Sequence, residues 1–210
     1  MAQTGSTGRQ PKALLFDVFG TVVDWRTSVI NELRSYGQGR GIDANWEAFA
    51  DDWRGLYQPS MEAVRNNTRS FVPLDDLHRE SLRTLIGKYD LPRPNEREED
   101  HLVTIWHRLK PWQDVIEGMY RLKRHYILGT LSNGNIGLMV RLAKHSGLPW
   151  DAILGAEIAN DYKPQPQVYR ASAAALNLPE SECMLVAAHN DDLAAAAAVG
   201  FQTAFVVRPD

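Results

Sequence analysis

KALLFDVFGTVVD, residues 12–24, opens with an unbroken apolar run, Ala13-Leu14-Leu15-Phe16, reaches a carboxylate at Asp17 and turns at Gly20-Thr21. A short apolar run bounded by turn residues predicts a strand buried on both faces of a parallel sheet. In an open α/β sheet the ligand crevice lies at the carboxyl ends of the strands, where Asp17 would stand. An aspartate there has the chemistry of a nucleophile that forms a covalent ester with its substrate. Two residues on, the chain carries Phe19 rather than a second acid, so no carboxyl proton donor stands at that spacing.

Outward from this stretch, four more apolar segments read as strands: Tyr126 to Leu131, Ala152 to Leu154, Met184 to Ala187 and Thr203 to Val207. Helix-like stretches separate them at Gly137 to His145, Pro166 to Leu176 and Asp191 to Val199. The alternation predicts an α/β fold, a Rossmann-like parallel sheet with helices on both faces. The rhythm changes between the first two strands. Residues 25–110 show no strand-like alternation but four apolar stripes at helical spacing. The first runs through Val29, Ile30, Leu33 and Tyr36, with Ser28 as its expected cap; the second runs from Trp46 to Tyr57. Leu77, Leu82, Leu85 and Ile86 form the third, and Leu102, Ile105, Trp106 and Leu109 the fourth. Pro92, Pro94, Pro111 and the Gly37-Gln-Gly39-Arg-Gly41 segment punctuate them. The expected organisation is a flexible tail at 1–11, an α/β core formed by 12–24 and 111–210, and an inserted helical cap at 25–110.

Composition narrows the function classes. The chain has 210 residues, 44% hydrophobic and 23% charged, enough for a full core, and a net charge of −3 with no basic run, which argues against nucleic acid. No apolar stretch approaches the length of a membrane span, and the N-terminus lacks the apolar segment of a secretory signal. The single cysteine, Cys183, excludes an internal disulfide framework and fits a reducing compartment, so a cytoplasmic location is expected. Cys183 precedes an apolar run and reads as a buried thiol.

Four short segments fall at strand ends or the loops that follow: Asp17 with Gly20-Thr21, Thr130-Leu131-Ser132-Asn133-Gly134, Tyr162-Lys163-Pro164 with Tyr169, and Ala187-Ala188-His189-Asn190-Asp191-Asp192. In a parallel sheet all four converge on one crevice. In this order, with helices inserted after the first, they resemble the haloacid dehalogenase superfamily over nearly the whole chain. The DVFGT form, LSNG, YKP-x-P-x-x-Y and a cap helix carrying Trp53-Arg54 look like its L-2-haloacid dehalogenase (type II) family.

The resemblance implies a two-step hydrolysis of short 2-haloacids. Asp17 attacks the α-carbon in line and expels halide; water then attacks the Asp17 carboxyl carbon and releases the 2-hydroxyacid with inverted configuration. Lys163 would keep Asp17 ionised, and Ser132 with the loop amides would bind the substrate carboxylate. Arg54 and Asn133 match positions that accept the halide, Thr21 and Tyr169 match positions around the nucleophile, and Asp192 matches the acid of the fourth motif. Phe19, Trp53 and Tyr57 are candidate pocket walls. Arg26, soon after the first motif, reads either as lining the mouth between cap and core or as an exposed helix-start residue.

No cofactor and no metal are expected. Phosphatases of the superfamily use a second acid where this chain has Phe19, and hold Mg²⁺ with an acid where alignment on Asp192 and Gly200 puts Ala188. His78, His101, His107, His125 and His145 lack ligand-like spacing, which argues against structural zinc. The chain departs from better-known members of the family, which read Ser-Ser-Asn where it has Ala187-Ala188-His189. Histidine titrates near neutrality, so His189 is a candidate base for the hydrolytic water. Relatives usually continue past the last strand, so an altered sheet edge or a shortened chain is also expected. Partners would be the 2-haloacid, water and halide; aromatic cap helices leave a homodimer open. The competing readings are a superfamily phosphatase or phosphonate hydrolase, a hydrolase that opens strained ring amines, and a non-catalytic binding module on the same fold.

Overall fold

Residues 10–209 are described by a computed structural model, so the expected tail falls almost wholly outside the described residues. The elements run β1 (Ala13–Phe16), β2 (Val23–Asp24), α1 (Trp25–Arg40), α2 (Trp46–Gly55), α3 (Tyr57–Arg65), α4 (Leu74–Lys88) and α5 (Glu96–Val103). After a 3-10 turn come β3 (Lys110–Pro111), α6 (Val115–Leu122), β4 (Ile127–Thr130), α7 (Ile136–Ser146), α8 (Pro166–Ala175), β5 (Cys183–Ala187), α9 (Asn190–Ala198) and β6 (Gln202–Phe205).

β1 sits inside a four-stranded parallel sheet of order β4-β1-β5-β6, with Leu14 opposite both Leu128 and Met184. Its four side chains are all buried because both faces are covered. Leu14 and Phe16 point into a core shared with the helices between β2 and β3, while Ala13 and Leu15 join a second core with α8 and α9. That two-sided burial explains the unbroken apolar run, each large side chain contributing about 1.5–3 kcal/mol. Cys183 is buried in the second core, as its apolar neighbours predict.

The expected strand Ala152 to Leu154 is a correction. Only an isolated bridge joins Ala152 to Gly129, and the ladder is then completed by a side chain. Thr130 Oγ1 donates to the Leu154 carbonyl at 2.7 Å and accepts the Leu154 N–H at 2.8 Å, so backbone pairing stops there.

The helical insertion leaves and rejoins the core through a narrow neck. β2 and β3 pair antiparallel, Val23 with Pro111 and Asp24 with Lys110. Asp24, not Ser28, caps α1, accepting the Thr27 N–H at 3.1 Å. Ser28 lies inside the first turn, where its Oγ donates to the Asp24 carbonyl at 2.6 Å and accepts the Lys110 N–H at 2.9 Å. The glycine-rich segment is a second correction. α1 runs through Gly37 and Gly39 and ends only at Gly41, whose φ of 67° gives the left-handed cap. Gly37 is needed for packing, because a Cβ there would come within 2.6 Å of the Trp46 ring. Trp46, Phe49, Trp53 and Trp106 are buried, so these aromatics do not form the dimer surface that the sequence suggested. Two helices escaped the sequence reading. α3 merges with the stripe of α2, and α6 lies in a stretch left unassigned.

Candidate active site

Asp17 follows the last residue of β1 and its N–H bonds the Val186 carbonyl of β5 at 3.1 Å, so the sheet itself aims the side chain into the crevice. The chain then turns back sharply. Gly20 takes φ 86°, which a side chain adopts only with strain, and a Cβ there would lie 3.3 Å from the His189 ring. Thr21 thereby returns to donate its hydroxyl to Asp17 Oδ2 at 2.7 Å, while its oxygen accepts the Ala188 N–H at 2.9 Å.

Lys163 reaches the same carboxylate from the loop before α8. Its Nζ lies 2.9 Å from Asp17 Oδ1 and also bonds Asp192 Oδ2. Tyr169 on α8 donates its phenol to Asp192 Oδ1 at 2.7 Å. His189, the residue before α9, places Nδ1 3.0 Å from Asp17 Oδ2; its side chain is 45% exposed and lines the cavity. Burial by itself would raise the Asp17 carboxyl, but the Lys163 ammonium and the His189 contact outweigh it and hold the group well below its ordinary 3.8. Burial likewise disfavours the Lys163 cation, yet Asp17 and Asp192 outweigh that and raise it above 10.5. The nucleophile candidate is therefore an anion and its lysine partner a cation throughout the neutral range.

The network forms the floor of a cavity of about 740 Å³. Phe19, Tyr57, Arg54 and Asn133 stand in its wall. The Arg54 guanidinium carbon sits 4.0 Å from the Tyr57 ring centre and 5.5 Å from that of Trp25, and its Nη1 is buried without a partner among the described residues. Asn133 Oδ1 accepts the Lys163 N–H at 2.7 Å, fixing the main chain of the lysine. Three candidates stand back from the wall. Ser132 is buried, its Oγ accepting the Gly134 N–H at 3.1 Å; Trp53 is buried, donating to the His78 carbonyl at 3.2 Å; Thr21 reaches the cavity only through Asp17. Arg26 pairs with Asp51 at 2.6 and 2.7 Å and does not line the cavity. Asp191 lines it.

A family model for haloacid dehalogenase-like hydrolases matches residues 11–200. The chain belongs to the haloacid dehalogenase-like hydrolases. The structure of a defluorinating L-2-haloacid dehalogenase is 46% identical and superposes with a TM-score of 0.94, covering 97% of this chain and 84% of its own. A second L-2-haloacid dehalogenase structure is also 46% identical, with a TM-score of 0.91 over 95% of this chain and 85% of its own. The (S)-2-haloacid dehalogenase 4A of Burkholderia cepacia is 28% identical over 200 residues, 94% of this chain and 83% of that protein.

In this haloacid dehalogenase-like hydrolase the cavity has a polar stretch of lining that sequence reasoning missed. Gln58, Glu62 and Arg65 of α3, with Gln165 before α8, line it. A second missed cluster joins the helices to the core: Asp75 accepts from Asn135 Nδ2 at 3.0 Å and lies 2.8 Å from His107 Nε2. His78 packs at 4.4 Å on Trp106 with neither ring nitrogen partnered among the described residues, and burial pushes it down to about 3, so it is neutral. The one sequence signal for Arg65 was its spacing from Gln58, two helical turns along the same face. Among the described residues no three His, Cys, Asp or Glu side chains gather as a metal site, and no helix is long and apolar enough to cross a membrane.

Proposed function

We propose that this hydrolase converts short (S)-2-haloacids to 2-hydroxyacids through an ester on Asp17, without a metal. The observation that carries the reading is the Asp17 carboxylate held at 2.9 Å by Lys163 and at 2.7 Å by Thr21, with the apolar ring of Phe19 where a phosphatase would place its acid. A halide is a weak base and leaves without a proton, so Phe19 is no handicap for this chemistry. A phosphatase would also need an acid to hold Mg²⁺ where this chain has Ala188. The 46% identity to two L-2-haloacid dehalogenases supports the same choice.

On this reading an Asp17 oxygen attacks the α-carbon from the side opposite the halogen, the carbon–halogen bond breaks with its electron pair, and configuration inverts. The unpartnered Arg54 Nη1 and Asn133 receive the halide; Phe19 and Tyr57 exclude water around it. Water then adds to the Asp17 carboxyl carbon and the hydroxyacid leaves. His189 with its proton on Nδ1 donates to Asp17 Oδ2, which frees Nε2 to take the proton of that water. Asp192 and Tyr169 hold Lys163, and Thr21 holds the carboxylate. Ser132 supports the loop whose amides meet the substrate carboxylate, and Trp53 packs with His78 and Trp106 behind the wall. The partners are then a small 2-haloacid, water and halide rather than nucleic acid or a membrane, and the lone Cys183 fits the cytoplasm. A homodimer would use a face other than the buried aromatics.

Two measurements check this. With EDTA present, halide should appear from the (S) enantiomer of 2-chloropropionate and not from the (R); Mg²⁺-dependent phosphate release in its place would sink the reading. His189→Asn should accumulate the Asp17 ester, visible by mass spectrometry as a carboxyalkyl adduct on Asp17, while halide release in the first turnover continues. Undiminished steady-state turnover in that variant would exclude His189 as the base.

A further inference from the structure

Lys163 is anchored at three points, and one of them belongs to the helical insertion. Its Nζ bridges Asp17 and Asp192, and its N–H is fixed by Asn133 at 2.7 Å. Its carbonyl accepts from Arg65 Nη1, at the end of α3, at 3.0 Å. Two residues further, Gln165 Nε2 donates to the Arg65 carbonyl at 2.8 Å. The helix end and the lysine loop are thus joined by two bonds of opposite direction, an arrangement that fixes both distance and register.

The arginine is held for this task. Its side chain folds back along α3, with Nη1 donating to Gln58 Oε1 at 2.8 Å and Nη2 to the Gln58 carbonyl at 2.7 Å. Nε donates to Glu62 Oε2 at 3.1 Å, and Nη2 also lies 3.0 Å from that oxygen. The side chain is only 10% exposed although it lines the cavity. Four hydrogen bonds engage its fork of donors, a planar set that a lysine could not reproduce.

We infer that Arg65 is a positioning residue for the dehalogenation, acting through the Lys163 carbonyl so that the lysine contacts the nucleophile in register only when α3 is seated against the core. This rests on the reading of Asp17 and Lys163 given above. A shift of about 1 Å in such a group is enough to cost about 10²-fold in rate.

Arg65→Gln and Arg65→Lys would be compared with the unaltered protein in two assays. The first is halide release from (S)-2-bromopropionate, steady-state and single-turnover. Expected are a fall in kcat of at least about tenfold in both variants, with KM changed less than about twofold, and partial recovery of Arg65→Ala on adding guanidinium chloride at concentrations below unfolding. The second is amide hydrogen exchange of the 160–168 segment, which should quicken in the variants while the β1 peptide is unchanged. A raised KM with unaltered kcat would mean that Arg65 meets the substrate directly and would overturn the inference; so would unaltered exchange at 160–168. If the unaltered protein releases no halide, the functional reading fails, and the exchange assay alone decides whether Arg65 positions Lys163.

Discussion

Asp17→Asn abolishes halide release, by at least about 10⁴-fold, in a protein that still folds. The amide has neither the negative charge nor the nucleophilicity needed to displace halide from carbon. It is nearly isosteric, and its single carbonyl oxygen can accept from only part of the set of Lys163, Thr21 and His189 that surrounds the carboxylate. Its NH₂ must then face one of these donors, so modest destabilisation accompanies the loss. Single-turnover mass spectrometry should find the ester in the unaltered protein and none in the variant. Halide release persisting at a few per cent of the original rate would remove Asp17 as the nucleophile, and the two-step mechanism with it.

Lys163→Met should damage both chemistry and stability. The buried carboxylate of Asp17 and the half-buried one of Asp192 would face each other without the ammonium that now bridges them. Removing one partner of a buried ion pair costs about 3–5 kcal/mol, and losing one preorganised electrostatic contact costs about 10²–10³ in kcat. The pH dependence gives the sign. Asp17 sits below its ordinary 3.8 when folded, so its contribution is present above that value and is lost as pH falls through the folded range. Lys163 sits above its ordinary 10.5, so its contribution is present below 10.5 and is lost only as pH rises beyond it. The stability gap between the protein and the variant is therefore full near neutrality and narrows in acid, where Asp17, buried without its ammonium, takes up a proton. Denaturant unfolding at about pH 3, 5 and 7 would read it. A gap of equal size at all three values would show that lost packing, not lost charge, weakens the variant.

The four strands of the parallel sheet and the four loop segments were legible because local pattern determines them. β1 is apolar at every position since both of its faces are covered, and the break at Asp17 coincides with the end of pairing. Asp17, Thr21, Lys163, Tyr169, His189 and Asp192 come together as a parallel sheet requires of residues at its carboxyl ends. What stayed hidden depends on partners far along the chain. Ser28 and Asp24 are both capping residue types; the choice between them is settled by Lys110, 82 residues beyond Ser28, whose N–H claims the serine oxygen. Arg65 meets Lys163 across 98 residues, from a helix whose apolar stripe cannot be separated from the preceding one by periodicity. Ala152 to Leu154 has the composition of a strand, but composition does not reveal that a threonine hydroxyl will stand in for the next ladder bonds.

The neck of two paired dipeptides separates heredity of chemistry from heredity of selectivity. Since the chain departs at Val23-Asp24 and returns beside itself at Lys110-Pro111, whatever is strung between those points can lengthen, shorten or be exchanged while the spacing of the two ends stays that of neighbouring strands. The sheet register, and with it the Asp17–Lys163 contact, need not change when such an exchange occurs. A lineage carrying this fold can thus explore new leaving groups and chain lengths by altering one contiguous block of sequence, provided the new block again supplies a group for the leaving atom, as Arg54 does here, and a donor to the Lys163 carbonyl.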